Sequence, residues 1–331
     1  MSTLFAPYHY TWAYQNQTHY KVNSLVQAQS QLGLKSAIAA FIIGDGTPGG
    51  IFQAFNVAIP DMAAFVRNGG NLILSCGGAN GPFLEDLMDS TTMAAALQDL
   101  LTKTGARALD FDIEGGAVSS VNGAKVRNEA IVLLQKKFSD LKVSFTLPVR
   151  SAKWGPITEE CLDLLRVARE SGVKISLVNL MVMDIYLAGV KWSEESVAIM
   201  EKARVQTGLE YSELGATFMA GKNDDGSVFS VEDCRTLVEF ARTKGLGLVS
   251  YWALQRDQSV QNGLQTSTMY TQEDYAFFKV CNTLTPPVPV PSIPSIPSIP
   301  STTQSPGTVL RVSIDILIAD GTVIKRTASV L

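Results

Sequence analysis

The chain has 331 residues, 46% of them hydrophobic, enough to bury a large core as a globular protein does. A net charge of −4 and a pI near 5.3 argue against a nucleic-acid or anionic-membrane partner. No apolar run approaches the roughly 18–20 residues that span a bilayer; four scattered cysteines (Cys76, Cys161, Cys234, Cys281) form no Cys-x-x-Cys pair, and two histidines (His9, His19) exclude a histidine-rich metal centre.

In chain order, eight apolar runs read as strands: Leu4–His9, Ser36–Ile43, Asn71–Cys76, Arg107–Ile113, Lys142–Leu147, Ile175–Met183, Leu214–Met219 and Leu246–Trp252. Between them lie segments of helical periodicity, among them Val126–Phe138, Glu159–Glu170, Ser193–Thr207, Val231–Lys244 and Glu273–Asn282. Several open on a capping residue: Thr158 before Glu159, Ser230 before Val231, Thr271 before Gln272. Strands alternating with helices predict βαβ units and a parallel sheet, and eight such units over residues 1–285 predict an α/β fold of the (β/α)8 TIM-barrel class. A doubly wound sheet would carry Gly-x-Gly-x-x-Gly after its first strand, where this chain reads Tyr8-His9-Tyr10-Thr11-Trp12. Polar and aromatic residues stand at the C-terminal ends of the expected strands: Glu114, Asp184, Tyr186, Asn223, Asp224 and Trp252. In a barrel that rim is where active sites are built.

From Pro286 the composition changes. Eight of the fourteen prolines fall between Pro286 and Pro306, with three copies of Pro-Ser-Ile, so residues 286–307 read as a semi-rigid polyproline linker. Residues 308–331 read as a β-hairpin: Leu310, Val312, Ile314, Ile316 and Ile318 alternate with Arg311, Ser313, Asp315 and Leu317. Asp320-Gly321 then supplies a turn before Val323-Ile324.

Asp110-Phe111-Asp112-Ile113-Glu114 carries most of the functional information. Acids at every second position of a strand share one face, with Cα atoms about 6.5–7 Å apart, while Leu109, Phe111 and Ile113 pack on the other. Three carboxyls so close raise one another's pKa, so one of them holds a proton near neutral pH, as general acid catalysis needs. A solvated acidic face is the bland alternative. A calcium loop starting at Asp110 would place Gly115 correctly at its sixth position but Val121 where a bidentate acid is required, so that reading fails. A magnesium site on the same acids is a weaker alternative, and no cofactor is implied.

These residues resemble the family 18 glycoside hydrolases, most closely their bacterial chitinase branch, over residues 4–285. The family's Asp-x-x-Asp-x-Asp-x-Glu maps onto Asp110, Asp112 and Glu114, with Arg107 where the outermost acid would stand. Ser75-Cys76-Gly77-Gly78 resembles its third strand, Thr146-Leu147-Pro148 its fifth and Met181-Val182-Met183-Asp184 its sixth. Met219-Ala220-Gly221-Lys222-Asn223-Asp224 resembles the seventh, and Ser250-Tyr251-Trp252-Ala253-Leu254-Gln255-Arg256-Asp257 the eighth. The resemblance implies that Glu114 is the acid and then the base. Asp112 would orient a substrate acetamide, Asp110 would tune Asp112 by sharing a proton, and Tyr186 or Asp184 would hold the acetamide carbonyl. Trp252 would be the sugar floor, with Tyr8, Gly77, Met183, Met219 and Asn223 lining the substrate site.

The implied activity is chitin hydrolysis with net retention, the substrate's own acetamide acting as nucleophile through an oxazolinium ion. An endo-β-N-acetylglucosaminidase acting on N-glycans, or a silent lectin on the same barrel, are the alternatives. A silent lectin usually lacks the acid found here at Glu114. The implied partner is chitin or a chito-oligosaccharide. For the aromatic-free hairpin the expectation is a protein partner or self-association. An extracellular location is expected, with the cytoplasm as alternative, since Met1-Ser2-Thr3-Leu4 lacks the features of a signal peptide.

Overall fold

The computed structural model describes residues 3–15, 19–47, 49–259, 263–285, 310–317 and 323–330. The apolar runs form strands β1 (Leu4–Phe5), β2 (Tyr8–Tyr10), β3 (Ser36–Ile42), β4 (Asn71–Gly77), β5 (Ala108–Asp112), β6 (Lys142–Pro148), β7 (Leu177–Met181), β8 (Leu214–Met219), β9 (Gly221–Lys222), β10 (Val228–Phe229), β11 (Leu248–Trp252), β12 (Leu310–Leu317) and β13 (Val323–Val330). The helices are α1 (Leu25–Leu32), α2 (Gln53–Arg67), α3 (Leu84–Leu87), α4 (Ser90–Thr104), α5 (Val121–Lys137), α6 (Glu159–Glu170), α7 (Trp192–Thr207), α8 (Val231–Lys244) and α9 (Ala276–Cys281).

Nine strands form one parallel sheet in the order β1-β11-β8-β7-β6-β5-β4-β3-β2. Its two end strands are successive pieces of the expected Leu4–His9 run. β1 pairs with β11 and β2 with β3, and only Ala6-Pro7 lies between them. Pro7 has no N–H to donate to a ladder, and its carbonyl accepts from Ile38 N at 3.0 Å, so the run changes neighbour there. The sheet therefore curls back to its own start, consistent with the expected barrel. Leu109, Phe111 and Ile113 belong to the large core between strands and helices. Tyr8, Tyr10, Ile38 and Ile73 form a second cluster on the opposite face of the sheet. Thr158 and Ser230 cap α6 and α8 as expected, their side chains accepting from Cys161 N and Asp233 N.

The chain divides into two compact units, Met1–Pro286 and Pro287–Leu331. In the second, β12 and β13 pair antiparallel, with Leu310 opposite Val330 and Ile316 opposite Ile324. The proline-rich run and the Asp320-Gly321 turn lie outside the described residues. Among the described residues no helix is long and apolar enough to cross a membrane, and no group of three or more His, Cys, Asp or Glu is disposed to hold a metal ion.

Candidate active site

Strand register builds the site in layers. Asp110 on β5 stands opposite Ser75 on β4 and Ser144 on β6. Its carboxylate accepts from Ser144 Oγ at 2.6 Å, Ser75 Oγ at 2.7 Å, Thr146 Oγ1 at 2.8 Å and Tyr8 Oη at 3.2 Å. Burial raises its pKa while the hydroxyls pull it back down. Both oxygens are occupied by hydroxyls, and no hydrogen bond joins Asp110 to Asp112 in this structure. Proton sharing between the two acids, expected from the sequence, is therefore not the arrangement seen.

One layer up, Asp112 stands opposite Gly77 and Thr146. Gly77 has no side chain to offer, and a Cβ there would lie 2.1 Å from the Asp112 carbonyl oxygen at a backbone φ of +103°. Only glycine permits that approach. The Thr146 hydroxyl is directed at Asp110, so Asp112 Oδ1 is buried with no hydrogen-bond partner. Burial, then the charges of Glu114 and Asp110, push its pKa well up.

Glu114 lies two residues past the last strand residue in extended backbone (φ −125°, ψ 163°), continuing the same face. Burial first, then Asp184 and Asp224, raise its pKa to about 7. Asp184, also raised by burial, has left-handed backbone (φ +50°), and its loop is zipped to the one after β8. Asp184 N donates to Asn223 Oδ1 at 3.3 Å, and Asp225 N to Asp184 Oδ1 at 3.1 Å.

Asp112, Glu114 and Asp184 line one cavity of about 430 Å³, within the usual range of small-molecule sites, together with Asp224. Trp252 lines it in an aromatic cluster. Phe41 stacks on it at 5.4 Å between centroids, with Tyr10 at 4.9 Å and Tyr8 at 5.6 Å. Of the other residues expected from the sequence, Tyr8, Gly77, Met183 and Met219 line the same cavity, and Asp110 lies beneath it.

Two expected residues are not brought there. Tyr186 is 78% exposed and absent from the cavity wall, its N–H held by Asp225 Oδ2 at 3.0 Å. One residue of displacement after the strand turns it outward, and Met183 lines the wall instead. Asn223 is wholly buried behind the wall, bonded to Asp184 N and to Gly221 O, so its part is to brace the loop. The sequence reading missed Phe41, Thr217 and Gln265, which also line the cavity. Inward alternation on β8 could have found Thr217, but nothing local marks Gln265.

No family profile matches the chain. Over 220 residues, 59% of this chain, it is 29% identical to a protein of Escherichia coli (strain K12) named "Probable bifunctional chitinase/lysozyme". Over 220 residues it is 28% identical to Endochitinase 11 of Metarhizium anisopliae. The match spans 24% and 42% of those relatives' lengths. The catalytic domain of a hyperthermophilic chitinase from Pyrococcus furiosus superposes with a TM-score of 0.72 at 25% identity, covering 86% of this chain and 95% of that one. The chain is thus similar in sequence and fold to chitinases. In this chain the acids of β5 lie at the C-terminal mouth of the sheet, and what they can do follows from the environments just described.

Proposed function

We propose that the chain is a chitinase cleaving β-1,4-N-acetylglucosamine linkages with retention, its curled sheet a (β/α)8 barrel over residues 1–285. The observation that carries this is the pairing of a protonatable Glu114 with the unpartnered Asp112 Oδ1 in one cavity beside Trp252. A carboxyl with a pKa near 7 can donate to a leaving-group oxygen and then accept from water. A lone buried acceptor fits an acetamide N–H, and positive charge developing beside Asp112 would favour its ionised form, which in turn would stabilise an oxazolinium ion. Asp184, on the cavity wall and tied to Asp225 N, would position the acetamide, the part that the sequence assigns to Tyr186 or Asp184. Trp252 supplies the stacking face. The chito-oligosaccharide complex of the P. furiosus enzyme supports the substrate class.

The test is product analysis on chito-oligosaccharides of graded length, with cello-oligosaccharides as control. We expect β-anomeric products from the former and no turnover of the latter, which lack the acetamide nucleophile. Efficient cellulose-oligomer cleavage would remove the mechanism, and cleavage of N-glycan cores in preference to chitin oligomers would reassign the substrate. We also place the enzyme outside the cell, where insoluble chitin lies; immunoblotting of medium against cell lysate checks that. For β12 and β13 we propose a role in association.

A further inference from the structure

Away from the cavity, two thiols meet in the packing between α8 and α9. Cys234 Sγ, in the first turn of α8, lies 3.5 Å from Cys281 Sγ at the end of α9, and both residues are wholly buried. No other two cysteines are in contact among the described residues, Cys76 lying on β4 and Cys161 in α6. The two supports are already held together. Arg242 Nη2 of α8 donates to Thr283 Oγ1, just past α9, at 3.0 Å. Asp257 accepts from Phe277 N and Phe278 N, and the Phe278 ring packs edge-on against Phe5 of β1 with centroids 5.5 Å apart. Sulfurs in van der Waals contact on such supports need only a small side-chain rotation to bond. α9 itself has six residues, too few for a helix stable on its own, and it is the last α-helix of the first unit. Elements of that kind are the first to open locally.

We propose that Cys234 and Cys281 are an oxidative cross-linking site, whose disulfide staples α9 to α8 and closes a ring through β11, Trp252 and Asp257. The two cysteines are 47 residues apart in sequence, so the ring is long. The oxidant is a small-molecule disulfide. One thiolate of the pair attacks it, forming a mixed disulfide and releasing a first small thiol. The second thiolate then attacks the protein sulfur of that mixed disulfide and releases the other. Two protein thiols lose two electrons, the small disulfide gains them, and the two protons pass to the released thiols. In the closed fold this chemistry is slow. Burial, then the contact with Cys234 and the charge of Asp257, push the Cys281 thiol well up, and neither sulfur is reachable until α9 lifts away. Oxidation therefore follows the opening of α9, and the bond then holds shut the helix whose opening admitted the oxidant. The inference is independent of the chitinase reading.

The test holds the full chain a few degrees below its unfolding temperature in oxidised or in reduced glutathione. The protein is then denatured, its free thiols are labelled with a maleimide, and its peptides are mapped. Of the four cysteines, all should label in the reduced sample and two in the oxidised one, with the Cys234 and Cys281 peptides joined. Calorimetry should place the oxidised form about 5 °C or more above the reduced form, since the bond closes a long loop in the unfolded chain. Dithiothreitol should abolish the difference. Cys234→Ser and Cys281→Ser, made separately, should give no joined peptides and no shift between the two buffers. Four free thiols surviving in oxidised glutathione, a bond through Cys76 or Cys161, or equal unfolding temperatures would each overturn the proposal.

Discussion

Glu114 owes its usefulness to being partly withdrawn from water. Its carboxyl keeps a proton up to about pH 7 because burial and the neighbouring Asp184 and Asp224 disfavour the anion. Replacing it by Gln keeps shape and hydrogen bonding but removes the proton. Glu114→Gln is expected to lose about 10²–10⁴-fold or more in kcat while chito-oligosaccharide binding, read by isothermal calorimetry, survives. Wild-type activity should fall as pH rises through about 7, the pH at which Glu114 loses its proton. Asp224→Asn removes one charge that raises that pKa, so the alkaline limb should move to lower pH. An unmoved limb would mean that a different group sets it.

The same shift has a stability consequence. A carboxyl whose folded pKa is above its ordinary value favours the fold while protonated, and that contribution is lost as pH climbs from about 4.5 to about 7. Glu114→Gln should therefore unfold at a higher temperature than wild type at pH 8, with the difference gone at pH 4, as read by calorimetry. At this scale the sequence was legible where spacing alone sets the face, as with Asp110, Asp112 and Glu114. The hydroxyl cradle of Asp110 was not, because Ser75, Ser144, Thr146 and Tyr8 converge only once four strands have found their register. Tyr186 illustrates the opposite failure. A single residue of offset after β7, with left-handed backbone at Asp184 and Tyr186, reverses where the ring goes.

Among the elements, most strands and the helices capped by Thr158 and Ser230 were read to within a residue or two because their signals are local. By contrast, α5 begins five residues before the expected Val126, and α9 begins at Ala276, past the expected cap Thr271. The break at Ala6-Pro7 was not foreseen, since it serves a closure contact between β1 and β11 that lies more than 240 residues away in sequence. α2 was harder to see because Pro60 lies inside it, and an interior proline removes a helical donor. α9 shows how an element can depend on one distant side chain. Asp257, just past β11, accepts from Phe278 N at 2.7 Å, Phe277 N at 3.3 Å, Gln272 Nε2 at 2.7 Å and Tyr251 Oη at 3.2 Å. Burial raises its pKa to about 7, and those donors offset part of the cost. Asp257→Ala strands the donors in a dry interior and should cost about 2–4 kcal/mol, measurable by urea titration. A variant within 0.5 kcal/mol of wild type would mean that water replaces the carboxylate fully.

For the whole molecule, the question is what the second unit adds to a first unit that already holds the acids, Trp252 and the cavity. Its β12 and β13 pair over eight residues each. Among the described residues they form a two-stranded sheet of their own, and a lone two-stranded hairpin is marginal in water. A carbohydrate-binding role needs an aromatic platform, and residues 286–331 contain no Trp, Tyr or Phe. We propose that pairing with further strands supplies what a two-stranded hairpin lacks, which favours self-association over sugar binding. Deleting residues 286–331 should leave kcat and KM for soluble chito-oligosaccharides unchanged. It should also lower the oligomeric state measured by light scattering at micromolar concentration. Identical monomers before and after deletion, with adsorption to insoluble chitin weakened, would instead assign the segment to the polymer surface and end the association idea.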